Sequence, residues 1–239
     1  MENRKNTILL TVIAVATLLV AVVGATFAYF TAQGGGTAQT SINVTTSTSS
    51  NSSFDLAAAL TINANQTNFD TAQSDHLKDE QTGTVKWTPS NQAEGDALNF
   101  CYTVDLVISS NTFAYIADGT FANTPELLFN ISKNSTPVTT GITSLTYTTV
   151  GTDKTGTRPE VSGWDITTAN GTYNIPGTVS AGSKSVHQMV GTAGTESTDS
   201  WLASVTLVNL NTDQQHNTNK SMTGTLKFTA VNCTTGEEQ

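Results

Sequence analysis

The sequence predicts an all-β protein: a jelly-roll-like antiparallel β-sandwich preceded by an N-terminal hydrophobic signal helix. Charged residues make up only 12% of the 239 residues, and Thr, Ser, Asn and Gly fill most of the other polar positions. This composition favours strands and turns, because β-branched Thr packs well on a pleated surface and Asn and Gly supply turns. Roughly nine to eleven short segments lie between turn signals without a helical crossover, which indicates a sandwich rather than a parallel sheet.

The start of the chain has the charge order of an export signal. Arg4 and Lys5 precede an uncharged run over residues 7–28, which keeps the basic end in the cytoplasm and exports the rest. Small side chains before the bond between Ala28 and Tyr29 favour cleavage there. The run is also long enough for a retained anchor of roughly 20 residues. With either alternative, the rest of the chain is expected outside the cell, secreted or at the cell surface.

Residues 24–31, with the sequence GATFAYFT, resemble the cleavage junction of the TasA and camelysin family of Gram-positive secreted proteins. A dedicated signal peptidase releases members of that family. The resemblance implies a subunit of an extracellular biofilm-matrix filament with a jelly-roll body. It also implies that the freed N-terminal segment pairs with the next copy of the chain as a donor strand, giving a homopolymer. Two features depart from the family: TasA itself lacks a cysteine pair, and this chain is much poorer in lysine.

Residues 29–53 are predicted to be a flexible Thr/Ser/Gly-rich leader between the signal segment, 1–28, and a single β-sandwich domain, 54–239. Glycines precede and serines follow a short stretch in which apolar and polar residues alternate, the pattern of a strand with one buried face. An extended, tethered segment of this kind suits pairing with an open sheet edge. The candidate donor strand consists of Ser41, Ile42, Asn43, Val44 and Thr45. A disordered linker is the alternative.

The chain is acidic, with a formal net charge of −9. Cleavage after Ala28 would remove Glu2, Arg4 and Lys5 and make the charge about one unit more negative. An acidic surface repels nucleic acid phosphates and anionic lipid heads, so neither is an expected partner. The expected membrane contact is through the N-terminal segment before cleavage. Divalent cations are the partner that this charge would attract.

Cys101 and Cys233 are the two cysteines of the chain. In an exported protein an even number of cysteines predicts a disulfide. Closing so long a loop would stabilise the fold by roughly 4 to 5 kcal/mol on the chain-entropy model. Two separate reduced thiols are the alternative.

The clearest strand is predicted over residues 100–108, where apolar side chains alternate with mostly polar ones. Cys101 falls on its polar face, which would place a disulfide at the outside or the rim of the sandwich. Residues 69–80 are polar and predict a surface loop or a short helix. The other predicted strands are 56–62 (or a short helix), 84–88, 112–116, 126–132, 144–150, 172–175, 185–190, 201–210 and 222–232.

Catalytic motifs are not found. His76, His187 and His216 lie far apart and do not form the HExxH pair of a zinc protease. No GxSxG elbow, phosphate-binding glycine loop or Cys-His signature is present. The sequence therefore predicts a protein that is not an enzyme and needs no cofactor. This argues against a camelysin-type metalloprotease, the third functional alternative.

One candidate cation site can be named. Asn209, Asn211 and Asp213 place three oxygen ligands at alternate positions, as in calcium loops. Gln214 occupies the position where such loops require glycine. A solvated Asn-rich loop is the alternative, so calcium is a weakly supported cofactor.

The function predicted first is a secreted structural subunit of a matrix filament that assembles by N-terminal donor-strand exchange. The alternative is a membrane-anchored carbohydrate-binding or adhesin domain. Trp87, Trp164 and Trp201 could supply a sugar-stacking platform for that alternative, although core packing is the better prediction for at least one of them.

Overall fold

The computed structural model describes residues 42–46, 50–55, 58–65, 76–89, 98–151, 160–210 and 212–239. These residues contain fourteen β-strands and a single turn of 3-10 helix at Gln215–Asn217. The strands are β1 Ile42–Thr46, β2 Ser50–Asp55, β3 Leu60–Asn63, β4 Leu77–Pro89, β5 Leu98–Asn111, β6 Leu127–Lys133, β7 Thr136–Pro137, β8 Tyr147–Val150, β9 Val161–Asp165, β10 Gly171–Ile175, β11 Val179–Ala181, β12 Lys184–Gly191, β13 Ser197–Leu207 and β14 Ser221–Val231.

The strands form two antiparallel sheets that pack as a sandwich. The first sheet has the order β1-β2-β4-β13-β6-β9-β8, with β7 beside β6. The second has the order β11-β12-β5-β14-β3, with β10 beside β5. This confirms the prediction of an all-β antiparallel sandwich. Part of the segment predicted as a leader, 29–53, forms β1 and most of β2, and the predicted signal helix lies outside the described residues.

The core lies between β5 and β14 of the second sheet and the centre of the first. The apolar face predicted for β5 packs in the main core, with Phe100, Tyr102, Val104, Leu106 and Ile108. Cys101 and Thr103, on the other face, are buried as well. Burying one large apolar side chain contributes about 1.5 to 3 kcal/mol relative to leaving it exposed. The patterned faces of these long strands therefore provide much of the driving force for the sandwich.

β4 is longer than predicted, because its first four residues were assigned to a polar loop or short helix. Residues 77–80 instead pair with residues 204–207 of β13. Leu77 packs against the core and the Asp79 carboxylate accepts a hydrogen bond from the Thr61 N–H, while Lys78 and Glu80 are exposed. Pairing with a long central strand thus overrides a weak local preference.

The strand predicted at 112–116 is wrong, since these residues are not part of a strand. The Asn111 side chain ends β5 by donating hydrogen bonds to the backbone carbonyls of Ile166 and Ala169. Its amide oxygen accepts one from the Phe113 N–H at 3.1 Å. Side-chain hydrogen bonds replace the ladder here, so the chain leaves the sheet.

β9 was not predicted, because Gly163 and Trp164 interrupt a short pattern. Gly163 lies so close to β6 that a Cβ atom there would come within 2.9 Å of the Asn130 side chain and 3.0 Å of the Phe129 carbonyl. Glycine is therefore required by the close approach of two strands.

Cys101 and Cys233 form a disulfide with a Cα–Cα distance of 5.2 Å. Cys101 faces away from the main core, as its position in the alternation predicts, but it is buried rather than at an exposed rim. It packs in a second small cluster with Ala181, Val186 and Val231. The disulfide therefore joins β5 to the segment that follows β14. No helix within the described residues is long and apolar enough to cross a membrane.

Candidate functional site

The outer side of β14 has a gap in its pairing. Residues 221–224 pair with β3, and Val231 forms a bridge with Glu238 of the C-terminal segment. Between them, residues 225–229 pair with β5 on one side and with none of the described strands on the other. We refer to residues 225–229 as the open edge.

The hydrogen bonds at the ends of the open edge show which backbone groups it presents. The Ala230 carbonyl accepts a hydrogen bond from the Gln239 N–H, and the Asn232 N–H donates to the Glu237 carbonyl. Backbone groups of alternate residues point to the same side of a strand. The N–H and C=O groups of Leu226 and Phe228 therefore face the open edge.

The side chains of the open edge hold the strand in place and limit which strands can pair with it. Leu226 and Phe228 are buried in the core, so the strand itself is fixed. The charged side chain of Lys227, between them, is exposed. Lysine on an edge strand discourages unselective pairing, whereas the unpaired backbone groups still provide a template for a suitable strand.

β1, which contains the predicted donor residues 42–45, is the last strand at one end of the first sheet. It pairs with β2 of the same chain, in a register that places Ile42 opposite Phe54. Ser41, the remaining predicted donor residue, lies outside the described residues. The donor segment is thus folded back as a hairpin, with one of its two edges paired.

The hairpin is attached to the core next to β14. Phe54 of β2 is buried, and its ring stacks on that of Phe228 with centroids 6.2 Å apart. Gly83 of β4 allows this arrangement, because a Cβ atom there would lie 3.2 Å from the Phe228 ring. One aromatic stack therefore links the strand that carries β1 to the strand that carries the open edge.

A second feature is a partly buried ionic cluster between β5, β6 and β13. Lys133 Nζ lies 2.7 Å from Asp199 Oδ2. The Tyr102 hydroxyl donates to the same oxygen at 2.6 Å, and the Asn134 side-chain amide donates to Oδ1 at 2.9 Å. Trp201 Nε1 donates to the Tyr102 hydroxyl at 3.2 Å. No sequence motif indicates this cluster, because its members are brought together only by strand register.

His187 closes the cluster from β12. Its ring packs against Trp201, with centroids 4.7 Å apart, and its Nε2 donates to the Ile175 carbonyl. Burial, followed by the positive charge of Lys133, lowers the pKa of His187 to about 4. Burial, followed by the hydrogen bond to Asp199, raises the pKa of Tyr102 above its ordinary value. At neutral pH both rings are therefore uncharged.

A third polar group surrounds Glu126, which is fully buried. Its Oε2 accepts hydrogen bonds from the side-chain amides of Gln214 at 2.6 Å and Asn217 at 2.9 Å. Its Oε1 lies 2.9 Å from His216 Nε2. These contacts hold the loop between β13 and β14 against the start of β6.

Of the predicted calcium ligands, Asn209 and Asp213 lie within the described residues. Asn209 is buried, and its backbone N–H donates to His76 Nδ1. Asp213 is exposed and accepts a hydrogen bond from the Gln215 N–H. Asn211 lies outside the described residues. Within the part of the chain that the structure describes, no group of three His, Cys, Asp or Glu residues could hold a metal ion.

The tryptophans do not form a surface platform. Trp87, Trp164 and Trp201 are all buried, which confirms core packing and excludes sugar stacking on their faces.

A shallow polar depression of about 300 Å³ lies elsewhere, with Tyr115 and Tyr173 in its lining. The Tyr115 hydroxyl donates to Asp165 at 2.7 Å, and burial followed by this hydrogen bond raises the pKa of Tyr115 to about 12.

Comparisons of this chain with protein-family models, with curated proteins and with solved structures found no match. The function is therefore inferred from the geometry and from the sequence.

Proposed function

We propose that this protein is a secreted structural subunit of an extracellular filament. In this proposal an N-terminal signal helix exports a jelly-roll body, and cleavage between Ala28 and Tyr29 frees the leader. The segment 42–46 of one chain then pairs with the open edge of the next. The observation that carries the proposal is the open edge itself, residues 225–229, with β14 paired on both sides before and after it.

The dimensions of donor and acceptor agree. β1 has five residues, and the open edge, from 225 to 229, also has five. Ile42 and Val44 alternate with polar residues, so one face of the donor would extend the apolar face of β14 that contains Leu226 and Phe228. Each backbone hydrogen bond formed would contribute about 0.5 to 1.5 kcal/mol net.

Strand exchange is feasible because β1 would give up only the backbone hydrogen bonds of one ladder. In the described residues it has β2 as its one strand partner, at the end of the first sheet. Leaving β2 breaks one ladder, and pairing with β14 of another copy forms a comparable one, which makes strand exchange a low-cost route to polymers. The formal net charge of the cleaved chain, about one unit more negative than −9, opposes the approach of two copies, and salt or divalent cations should therefore speed assembly.

The donor is tested by replacing residues 37–46 of the mature chain with a Gly/Ser segment of equal length. We expect filament formation, followed by light scattering and electron microscopy, to be lost. Near-ultraviolet circular dichroism should show that the sandwich remains folded. Polymerisation of the folded variant at the normal rate would exclude strand donation by this segment.

The acceptor is tested by a matched pair of variants, Leu226→Pro and Leu226→Ala. Both remove the same buried side chain, but only proline removes an N–H that faces the open edge. We expect the alanine variant to polymerise and the proline variant to stay monomeric at equal folded fraction. Equal assembly of the two variants would show that the open edge is not the acceptor.

A second candidate function is glycan binding by an anchored adhesin, which the polar depression beside Tyr115 and Tyr173 supports. The Tyr173 hydroxyl donates to the Asn170 carbonyl, and its ring is partly exposed. Glycan-array binding that is lost in Tyr173→Ala and kept in Tyr173→Phe would favour this function. N-terminal sequencing separates the two proposals, because release predicts a start at Tyr29 and anchoring predicts a start at Met1.

A further inference from the structure

We propose that Lys133 and Asp199 condense to form an intramolecular amide bond between β6 and β13. The two groups already touch, with Lys133 Nζ 2.7 Å from Asp199 Oδ2. The reaction requires no partner chain, metal or cofactor. It is independent of the filament function proposed above.

Strand register brings the two residues together. Lys133 is directly opposite Trp201 in the antiparallel pairing of β6 and β13. Asp199 lies two residues before Trp201, on the same face of β13, because side chains of alternate residues share a face. Two adjacent strands of one sheet therefore hold the amine and the carboxyl group in place, so that condensation is effectively unimolecular.

The surroundings favour an uncharged product. Lys133 Nζ lies 5.6 Å from the centroid of the Tyr102 ring and 5.9 Å from that of Trp201. The side chain of Asp199 is 10% exposed and that of Lys133 is 24% exposed. Burial penalises an ammonium–carboxylate pair, whereas an amide carries no charge.

The atoms of the reaction balance without an added reagent. One proton passes from the ammonium group to the carboxylate, which leaves a neutral amine and a carboxylic acid. The amine nitrogen of Lys133 attacks Cγ of Asp199 to give a tetrahedral intermediate. A second proton leaves the nitrogen for Oδ2, the bond from Cγ to Oδ2 breaks, and one water molecule departs. The nitrogen keeps one hydrogen in the resulting amide.

Two neighbouring side chains contact the Asp199 carboxyl group, one at each oxygen. The Asn134 side-chain amide donates to Oδ1, the oxygen that carries negative charge in the intermediate. The Asn134 side chain is itself fixed, because its oxygen accepts a hydrogen bond from the Ser200 N–H at 2.7 Å. The Tyr102 hydroxyl donates a hydrogen bond to Oδ2, the oxygen that leaves, and stabilises negative charge on it. Its raised pKa keeps this hydroxyl protonated.

The experiment is intact mass spectrometry of the purified mature chain after reduction of the disulfide, referred to its sequenced N-terminus. We expect a mass one water molecule below that of the sequence. Tandem mass spectrometry of a tryptic digest should identify a branched peptide that contains both Lys133 and Asp199. A full-length mass in folded protein would overturn the proposal and leave an ion pair.

Lys133→Arg is the matched control, because a guanidinium group keeps the charge but does not condense with a carboxyl group. We expect this variant to have its full mass. If it still loses water, the loss comes from another position, such as a cyclised Asp118-Gly119, and the proposal is wrong. Asn134→Ala tests the stabilisation of the intermediate, and we expect at least a tenfold slower appearance of the bond after refolding of unlinked chain. An unchanged rate would overturn the assigned role of Asn134.

Discussion

Two buried carboxylates lie near opposite ends of β6 and have different surroundings. Asp199 is beside Lys133 at the end of the strand, and it accepts hydrogen bonds from groups on β5 and on the turn after β6. Glu126 precedes the start of the strand, and it contacts three side chains of the loop between β13 and β14. Each carboxylate thus has three side-chain partners.

The two carboxylates differ in the parts of the fold that position their hydrogen-bond partners. Around Asp199 the partners come from paired strands and from Asn134, whose side-chain oxygen accepts a hydrogen bond from the Ser200 N–H. An amine is therefore held against a carboxyl group. Around Glu126 the partners come from a loop whose described residues, 208–210 and 212–220, belong to no strand, and the carboxylate supplies the order that a ladder would supply elsewhere. The same chemical group therefore contacts an amine on a paired strand in one region and fixes a loop in the other.

The largest loss of stability is expected at Glu126, which contacts the loop between β13 and β14. Glu126→Ala should lower the free energy of unfolding by about 3 to 5 kcal/mol, because buried amides of Gln214 and Asn217 lose their acceptor. Urea denaturation at neutral pH measures this. Glu126→Gln keeps the volume and one acceptor oxygen, so a clearly smaller loss is expected. A loss below about 1 kcal/mol for alanine would show that the loop does not depend on the carboxylate.

The next largest effect is a pH dependence of the free energy of unfolding, which we expect from His187 in the ionic cluster. The folded-state pKa of His187 is about 4, below the ordinary value of 6.5, because of burial. The unfolded chain therefore binds a proton first, so stability is full above about pH 6.5 and falls as the pH drops toward about 4. The expected contribution is about 2 to 3 kcal/mol between pH 7.5 and pH 4.5.

His187→Gln is the control for this pH dependence, because it stays neutral and can still donate to the Ile175 carbonyl. The difference between wild type and variant in urea denaturation at the two pH values removes the contribution of the carboxylates. If both chains lose the same stability on acidification, His187 is not the group that titrates.

A smaller effect tests the hydroxyl that contacts Asp199. Tyr102→Phe should lower the free energy of unfolding by about 1 to 2 kcal/mol, because the aromatic packing is kept while one buried hydrogen bond is lost and Trp201 Nε1 loses its acceptor. Thermal unfolding at neutral pH measures this. Tyr173→Phe, at a partly exposed ring, serves as the comparison and should change stability little. Equal effects at the two positions would mean that the Asp199 contact contributes nothing.

The smallest effect is expected for His216. Its side chain is 31% exposed, so its contact with Glu126 is partly screened by water. His216→Gln should change the free energy of unfolding by less than about 1 kcal/mol. A loss as large as that of Glu126→Ala, in the same urea series, would show that His216 is the main partner of the carboxylate.

Local patterns in the sequence were sufficient for the class of fold and for several strands. Alternation along β5 and β14 identified their buried faces, and turn residues marked where strands end. The same reasoning failed where side chains replace a ladder, as after Asn111, and where the first residues of β4 pair with β13. Both cases depend on neighbours that are distant in sequence.

The predicted site residues divide in the same way. The burial of Trp87, Trp164 and Trp201 agrees with the core packing predicted for at least one of them, whereas the role of Asn209 and Asp213 as cation ligands stays a prediction. The ionic cluster could not be predicted, because Lys133 and Asp199 carry no motif and become neighbours only through pairing of β6 with β13.

Strands with one apolar face could be predicted from the order of the residues alone, because side-chain alternation along a strand is a local property with a period of two. The identity of neighbouring strands, the open edge of β14 and the contact between Lys133 and Asp199 could be read only from the folded chain. Those outcomes depend on sheet order and register, which are set by packing of the whole sandwich rather than by any one segment.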